Sequence, residues 1–119
     1  MRYLIIYKRG TDWSEDIPLN NQPFIPEHAV YLQLLFDEGK ILMAGPFKDH
    51  TGGGVVIEVE TEGEAVLIAQ NDPAVLHHTF DYELKHWSDI LNKYENKSKN
   101  FNQDYLDYKH KVQKDLNII

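Results

Sequence analysis

The sequence predicts an α+β domain whose elements follow the order β-α-β-β-α-β, with a helical segment after it. Short apolar runs with a period of two alternate with segments whose apolar residues recur at helical spacing. The chain has 119 residues, a length typical of one domain. Hydrophobic residues make up 42% and charged residues 26%, which is the balance of a globular protein.

The first half of the domain is predicted to be a strand, a loop, a helix and a strand. Residues 3–7 are aromatic or aliphatic, as in a buried strand, and prolines make residues 10–26 a loop. Pro26 opens a helix that Gly39 ends, and residues 41–44 form the second strand. The helix face that we expect to be buried carries Ala29, Leu32, Leu35 and Phe36. A second stripe of the same helix carries His28, Tyr31 and Leu35.

The second half repeats the alternation of strand and helix. Residues 55–60 alternate as a half-exposed third strand, and Thr61 caps a helix that ends near Gln70. Residues 71–73 break this helix, and residues 78–84 form a fourth strand. One face of that strand carries His78, Phe80, Tyr82 and Leu84. This order is the split arrangement of a ferredoxin-like fold.

Charge and composition divide the chain into a domain over residues 1–87 and a C-terminal helical extension over residues 88–119. The first part holds 6 basic and 14 acidic residues, a net charge of −8, whereas the second holds 6 and 5, a net charge of +1. A short stripe of the extension carries Ile90, Leu91 and Tyr94. A narrow apolar seam follows, which we expect to pack on the domain or on a second subunit: Phe101, Tyr105, Tyr108, Val112 and Leu116.

The overall composition excludes several functional classes. A net charge of −7 argues against a nucleic-acid partner, and the absence of cysteine excludes thiolate chemistry and disulfides. The chain shows neither a signal-peptide pattern nor an apolar run of about 20 residues. We therefore expect a cytoplasmic protein with no membrane partner.

An ordered series of motifs over residues 1–87 resembles the YciI-like (YCII-related) family. The series comprises the loop GTDW with Pro18 and Gln22, His28 and Tyr31 in HAVYLQLLFDEGKILMAGPF, Asp49 before GGG, Ala65, DPAV at Asp72, and Trp87. The resemblance implies a ferredoxin-like domain that pairs two sheets into a dimeric α+β barrel. It also implies a His/Asp active site, with His28 as the histidine and Asp72 as the aspartate. One relative is a dechlorinating enzyme that acts on a chlorinated hydroxyquinol.

The two implied site residues suit proton transfer. A histidine takes and returns protons near neutral pH, and a carboxylate on its other ring nitrogen orients the ring. A histidine such as His28 can also simply pack or cap a helix. Asp72 stands before Pro73, where an aspartate commonly caps the next helix, and the capping and catalytic roles are compatible.

Aromatic residues outside the implied pair could form a pocket for a flat organic molecule. The candidates are Trp13, Phe24, Tyr31, Phe47 and Phe80. Asp49 and the glycines after it could bind an anion or close over a ligand, with a hairpin turn as the alternative. We expect no cofactor and no metal, since His77 and His78 would point to opposite faces of a strand.

Three functions remain open. The chain is a small cofactor-free enzyme for elimination or isomerisation of a cyclic or carbonyl compound, a binding module for a small metabolite, or a structural homo-oligomer. For each we expect a homodimer or higher homo-oligomer, because helices on one side of the sheet leave its other face bare. The residues expected to need this cover are Tyr3, Ile5, Tyr7, Val55, Ile57 and Val59.

Overall fold

A four-stranded antiparallel sheet organises the first of two compact units, Met1–Trp87, in the computed structural model, which describes residues 1–119. The strands are β1 (Arg2–Arg9), β2 (Ile41–Pro46), β3 (Gly52–Glu58) and β4 (Phe80–His86), and they lie in the order β2-β3-β1-β4. This order, with helices between β1 and β2 and between β3 and β4, confirms the predicted split β-α-β arrangement. His78 lies outside β4, in a turn with φ of 62°, so its predicted place in the strand was wrong.

The helices of this unit are α1 (Ile25–Asp37), α2 (Glu62–Gln70) and the short α3 (Pro73–Leu76), with a 3-10 turn at Leu19–Asn21. Thr61 caps α2 as its sequence predicts, because its hydroxyl accepts a hydrogen bond from the Glu64 amide at 3.1 Å. Gly39, with φ of 81°, lets the chain leave α1, and its amide donates to the Phe36 carbonyl at 3.0 Å.

The sheet face that packs against the helices carries the core. Alternate residues of β1 lie in register with Val55 and Ile57 of β3, so these side chains share that face. The buried residues of this face and of the strand end beside it are Tyr3, Ile5, Tyr7, Val55, Ile57 and Val59. The expectation that these residues need a second sheet for cover was therefore wrong, because the chain's own helices bury them.

The opposite sheet face is apolar at its centre and charged at its margins. Half-buried aliphatic side chains at its centre are Leu4, Ile6 and Val56. Arg2 contacts Glu58 at 3.0 Å, and Lys8 contacts Glu83 at 2.7 Å. The helices of the domain pack on the other side of the sheet, so a homodimer would form through this face.

The orientation of α1 differs from the predicted one. Leu35 is buried and Leu32 is half-buried, but Ala29 is exposed and Phe36 is 56% exposed. The helix is rotated so that His28 and the stripe that continues to Leu35 face the sheet. Ala29 and Phe36 instead border an open cleft.

The second unit, Ser88–Ile119, contains one helix, α4 (Gln103–Asp115). The Asn102 side chain caps it by accepting a hydrogen bond from the Tyr105 amide at 3.1 Å. The helical stripe expected at residues 90–94 was wrong, since Asn92 and Lys97 pair there as a short antiparallel bridge. No helix of the chain combines the length and apolar composition that crossing a bilayer requires.

Candidate active site

The loop before α1 fixes the position of the first turn of that helix, which carries His28. The Gln22 side chain is buried and donates hydrogen bonds to the carbonyls of Ser14 and Ile17, both at 2.6 Å. The Thr79 hydroxyl donates to the Pro23 carbonyl at 2.7 Å. These bonds attach the loop to itself and to the start of β4, so the first turn of α1 has a defined position.

His28 lies in that first turn, with its ring against the sheet. Its backbone amide donates to the carbonyl of Phe24, which precedes the helix in a left-handed conformation. The ring meets Tyr7 edge-on at a centroid distance of 5.0 Å, and it meets Phe80 edge-on at 5.4 Å. Two aromatic neighbours therefore restrict the orientation of the imidazole.

Asp72 lies between α2 and α3, and its carboxylate has no exposed surface. One oxygen, Oδ1, accepts a hydrogen bond from the Ala74 amide at 2.9 Å, so Asp72 caps α3 as the Asp-Pro sequence suggests. A fully buried carboxylate requires such donors, because burial removes its hydration. The cap uses one oxygen and leaves the other for a second partner.

That second partner is His28, whose Nδ1 lies 2.6 Å from Asp72 Oδ2. The His28 side chain is 13% exposed and that of Asp72 is 0% exposed. With a proton on Nδ1, the imidazole donates to the carboxylate, and the lone pair of Nε2 is left to accept a proton. The arrangement is that of a histidine base oriented by a carboxylate.

Two tyrosines lie near the His28–Asp72 pair, and only the hydroxyl of Tyr31 has a hydrogen-bond partner. The Tyr7 hydroxyl is buried without a hydrogen-bond partner, and burial followed by the nearby Asp72 charge raises its pKa well above the usual value. The Tyr31 hydroxyl donates to the Ile68 carbonyl at 2.8 Å, and burial, followed by the Asp72 charge, raises the pKa of Tyr31 to about 12. Both phenols are therefore neutral at physiological pH.

A cleft of about 490 Å³ opens beside His28, between α1 and the strands β2 and β3. Small residues leave this space open on the sheet side, namely Ala44, Gly45, Pro46, Gly52, Gly53 and Gly54. On the other side, one face of α1 lines the cleft from Ile25 to Phe36. The volume lies in the range of small-molecule sites.

Of the aromatic candidates, Phe80 lines this cleft, whereas Trp13, Phe24 and Tyr31 lie outside its lining. Trp13 stacks on Phe80 at a centroid distance of 6.0 Å, and Phe24 stacks on His77 at 3.7 Å. Tyr31 lies behind the cleft, bonded to α2 as described above. A binding role for these three side chains stays a prediction.

The two predicted binding residues near the β2–β3 hairpin also lie outside the lining. A Cβ atom on Gly54 would lie 3.5 Å from the Phe47 ring, so this ring covers Gly54. The exposed Asp49 carboxylate accepts hydrogen bonds from the amide and the hydroxyl of Thr51, at 3.1 and 2.7 Å. These bonds lower the pKa of Asp49, and they identify residues 49–51 as part of a hairpin turn.

Two aromatic residues lie beside His28, and only Phe80 was among the aromatic candidates for a pocket, whereas Tyr7 was not predicted. Tyr7 and Phe80 both line the cleft and contact the histidine ring. In the sequence they look like ordinary members of buried strands. The register of β1 against β4, in which Arg9 lies opposite Phe80, brings them together, and one sequence alone does not specify this register.

Comparisons with known proteins place the domain in a family. The model of the YCII-related domain matches residues 1–88. Uncharacterized protein YjpA of Bacillus subtilis (strain 168) is 37% identical over 67 residues, which are 56% of this chain and 79% of that protein.

A solved structure gives a further likeness. It is 5-chloro-2-hydroxyhydroquinone dehydrochlorinase (TftG) from Burkholderia phenoliruptrix AC1100, in complex with 2,5-dihydroxybenzoquinone. The TM-score is 0.57 at 26% identity, and the match covers 74% of this chain and 94% of that chain. The matched family, the fold and the ordered motifs agree, and the chain belongs to the YCII-related domain family.

Proposed function

We propose that this protein is an enzyme that eliminates or isomerises a small cyclic or carbonyl compound by proton transfer. His28 is the general acid and base, and Asp72 orients it. The observation that carries the proposal is the 2.6 Å contact between His28 Nδ1 and Asp72 Oδ2 at the edge of the cleft. A buried carboxylate that binds the far side of an imidazole directs the near side toward a substrate.

The proposed reaction uses Nε2 of His28. This nitrogen accepts a proton from the substrate, and the Asp72 carboxylate stabilises the imidazolium that forms. In an isomerisation, the imidazolium returns the proton to another atom of the substrate. In an elimination, the bond to the leaving group breaks, the group departs with the bonding electron pair, and His28 later releases its proton to water.

The likeness to TftG supports an elimination. That protein is named a dehydrochlorinase, and its structure holds a dihydroxylated quinone. Loss of HCl from a hydroxylated ring requires a base that removes a proton while chloride leaves. His28 is the only histidine that lines the cleft, so it is the side chain of this chain suited to that step.

The experiment measures release of chloride from 5-chloro-2-hydroxyhydroquinone by the wild-type protein and three variants. We expect His28→Ala to lower kcat by about 10²- to 10⁴-fold, the usual loss when general acid-base help is removed. Asp72→Asn should lower kcat by a smaller factor, because His28 remains as the base, although an asparagine whose oxygen keeps the α3 cap turns its NH2 group toward Nδ1 and favours the wrong tautomer. His110→Ala, an exposed histidine of α4, is the matched control and should leave kcat unchanged.

A measurement that needs no substrate tests the same site. Nitrogen-15 NMR of the His28 ring should show the proton on Nδ1 and a free lone pair on Nε2. A tautomer with its proton on Nε2, or full activity in His28→Ala, would contradict the proposed role of His28 as the general base. Ligand binding with no turnover by the wild type would instead favour the binding module of this fold.

A further inference from the structure

The cleft extends along α1 well beyond the part that lies beside His28. Along α1 its lining recurs at helical spacing through Ile25, His28, Ala29, Leu32, Gln33 and Phe36. The eight residue steps from His28 to Phe36 correspond to about 12 Å along a helix axis. A single six-membered ring at His28 would leave the Phe36 end of this cleft empty.

The lining carries almost no charge. No Lys, Arg, Asp or Glu side chain lines the cleft, and His28 and Tyr7 are its only titratable groups. The surrounding domain, residues 1–87, holds 6 basic and 14 acidic residues, a net charge of −8. Nothing in the cleft offers a counter-ion to a carboxylate or phosphate, and the field of the domain opposes anions.

Apolar side chains border the part of the cleft that lies away from His28. Phe36 is 56% exposed and Leu32 is half-buried on α1, and Ile41 lies across from them at the start of β2. Exposed aromatic surface within a concave site favours an apolar occupant, which would remove that surface from water.

We propose that the cleft binds an uncharged, elongated and mostly apolar compound about two fused rings long, with one hydroxyl or carbonyl group at His28. This inference deepens the proposed function, on which it rests for the place of the reacting group, by naming the class of substrate. The apolar part of the compound lies along α1 toward Phe36. The length and the apolar lining favour this class over a single polar ring, which would fill only the His28 end as 5-chloro-2-hydroxyhydroquinone would, and the missing counter-ion disfavours an anion.

The experiment compares three probes by isothermal titration at pH 7 with the full chain. Phenol is one ring, 2-naphthol adds a second, and 6-hydroxy-2-naphthoate adds a carboxylate to the second ring. We expect 2-naphthol to bind at least about tenfold more tightly than phenol and about tenfold more tightly than the naphthoate. Equal affinity for phenol and 2-naphthol, tightest binding of the naphthoate, or no binding of 2-naphthol would overturn the proposal.

A pair of variants locates the second ring. Phe36→Lys places a cation at the far end of the cleft and should bring the affinity for the naphthoate to within about threefold of that for 2-naphthol. Leu34→Lys is the matched control, since Leu34 is 59% exposed on the same helix but does not line the cleft. If the two lysine variants changed the affinity for the naphthoate equally, the placement along α1 would be wrong.

The same titrations separate this inference from the proposed function. In His28→Ala the preference for 2-naphthol over phenol should persist, because that preference comes from the apolar lining. If the wild type shows no preference for 2-naphthol over phenol, the proposed ligand class is wrong, but proton transfer by His28 is not affected. Unchanged turnover in His28→Ala overturns proton transfer but leaves the ligand class standing.

Discussion

Tyr7 and Tyr31 both lie near the buried Asp72 carboxylate, but only one of their hydroxyl groups makes a hydrogen bond. The Tyr31 hydroxyl donates to the Ile68 carbonyl at 2.8 Å, whereas the Tyr7 hydroxyl is buried without a partner. A buried hydroxyl without a partner loses its hydration and gains no bond in return. Tyr7 therefore owes its contribution to stability to its ring, which contacts His28 and Phe80.

Removing each hydroxyl should have different effects on stability. We expect Tyr31→Phe to lower the free energy of unfolding by about 1 kcal/mol, because it removes a hydrogen bond. Tyr7→Phe should change that free energy by less than about 0.5 kcal/mol, because no bond is lost. Urea unfolding of both variants measures the difference. A larger loss in Tyr7→Phe would show that its hydroxyl bonds Asp72 in solution.

Alkaline pH should destabilise the fold through the same tyrosines. Burial, with the Asp72 charge as the next cause, raises the pKa of Tyr31 to about 12, and it also raises the pKa of Tyr7. An unfolded tyrosine ionises near pH 10, so above that pH the unfolded state binds fewer protons than the folded state. The stabilisation is thus complete below about pH 10 and is lost as the pH rises toward 12.

The measurement is the free energy of unfolding between pH 9 and 12. We expect it to fall with pH in the wild type, and to fall less steeply in Tyr31→Phe and in Tyr7→Phe. Tyr94→Phe is the control, since Tyr94 is 89% exposed, and it should follow the wild-type curve. Equal slopes in all four proteins would contradict the raised pKa values of Tyr7 and Tyr31.

At the residue scale, the sequence indicated the pair but not its surroundings. His28 and Asp72 are 44 residues apart, and only the family resemblance joined them before the structure placed them 2.6 Å apart. Tyr7 was not foreseen, because an aromatic residue in an apolar strand looks the same whether it borders a cleft or a core. The loop residues Trp13 and Phe24 looked suitable for binding, but their rings stack on Phe80 and His77.

At the scale of elements, two glycines of the β2–β3 hairpin have contrasting surroundings. A Cβ atom added to Gly52 would lie 1.9 Å from the Tyr7 carbonyl oxygen, a separation that no structure tolerates. A Cβ atom on Gly45 would meet nothing within 4 Å. Gly52 therefore permits the close approach of β3 to β1, whereas Gly45 leaves room beside the cleft.

This contrast predicts the effect of alanine at each position. Gly52→Ala should lower the free energy of unfolding by more than about 2 kcal/mol, because β1 and β3 must separate or bend. Gly45→Ala should change it by less than about 1 kcal/mol in either direction. Thermal unfolding followed by circular dichroism measures both. Equal melting temperatures for the two variants would show that β3 approaches β1 less closely than described.

The sequence predicted the kinds of element better than their orientation. Periodicity identified α1 correctly, but it does not tell whether an apolar stripe faces a core or a cleft, and Phe36 lies at the cleft. Strand β3 begins at Gly52 rather than at residue 55, because glycines have low strand propensity yet pair here with β1 and β2. The polar residues 95–100 end any helical pattern, which explains the missing helix near Ile90.

At the scale of the whole molecule, the sheet face opposite the helices has the composition of an interface. Its centre is aliphatic, with Leu4, Ile6 and Val56 half-buried. Its margins carry the ion pairs Arg2–Glu58 and Lys8–Glu83. An apolar centre with a charged rim is typical of protein interfaces, and a two-fold axis would pair the face with itself.

We propose that two chains form a homodimer through this face. Light scattering at micromolar concentration should give about twice the mass of one chain. Ile6→Glu would place a charge at the centre of the interface and should shift the mass to that of one chain, because an unpaired buried charge is costly. Leu34→Glu, at an exposed position of α1 on the other side of the sheet, should remain dimeric. Circular dichroism of the Ile6→Glu monomer checks that it is folded, and a wild-type mass of one chain would contradict the dimer.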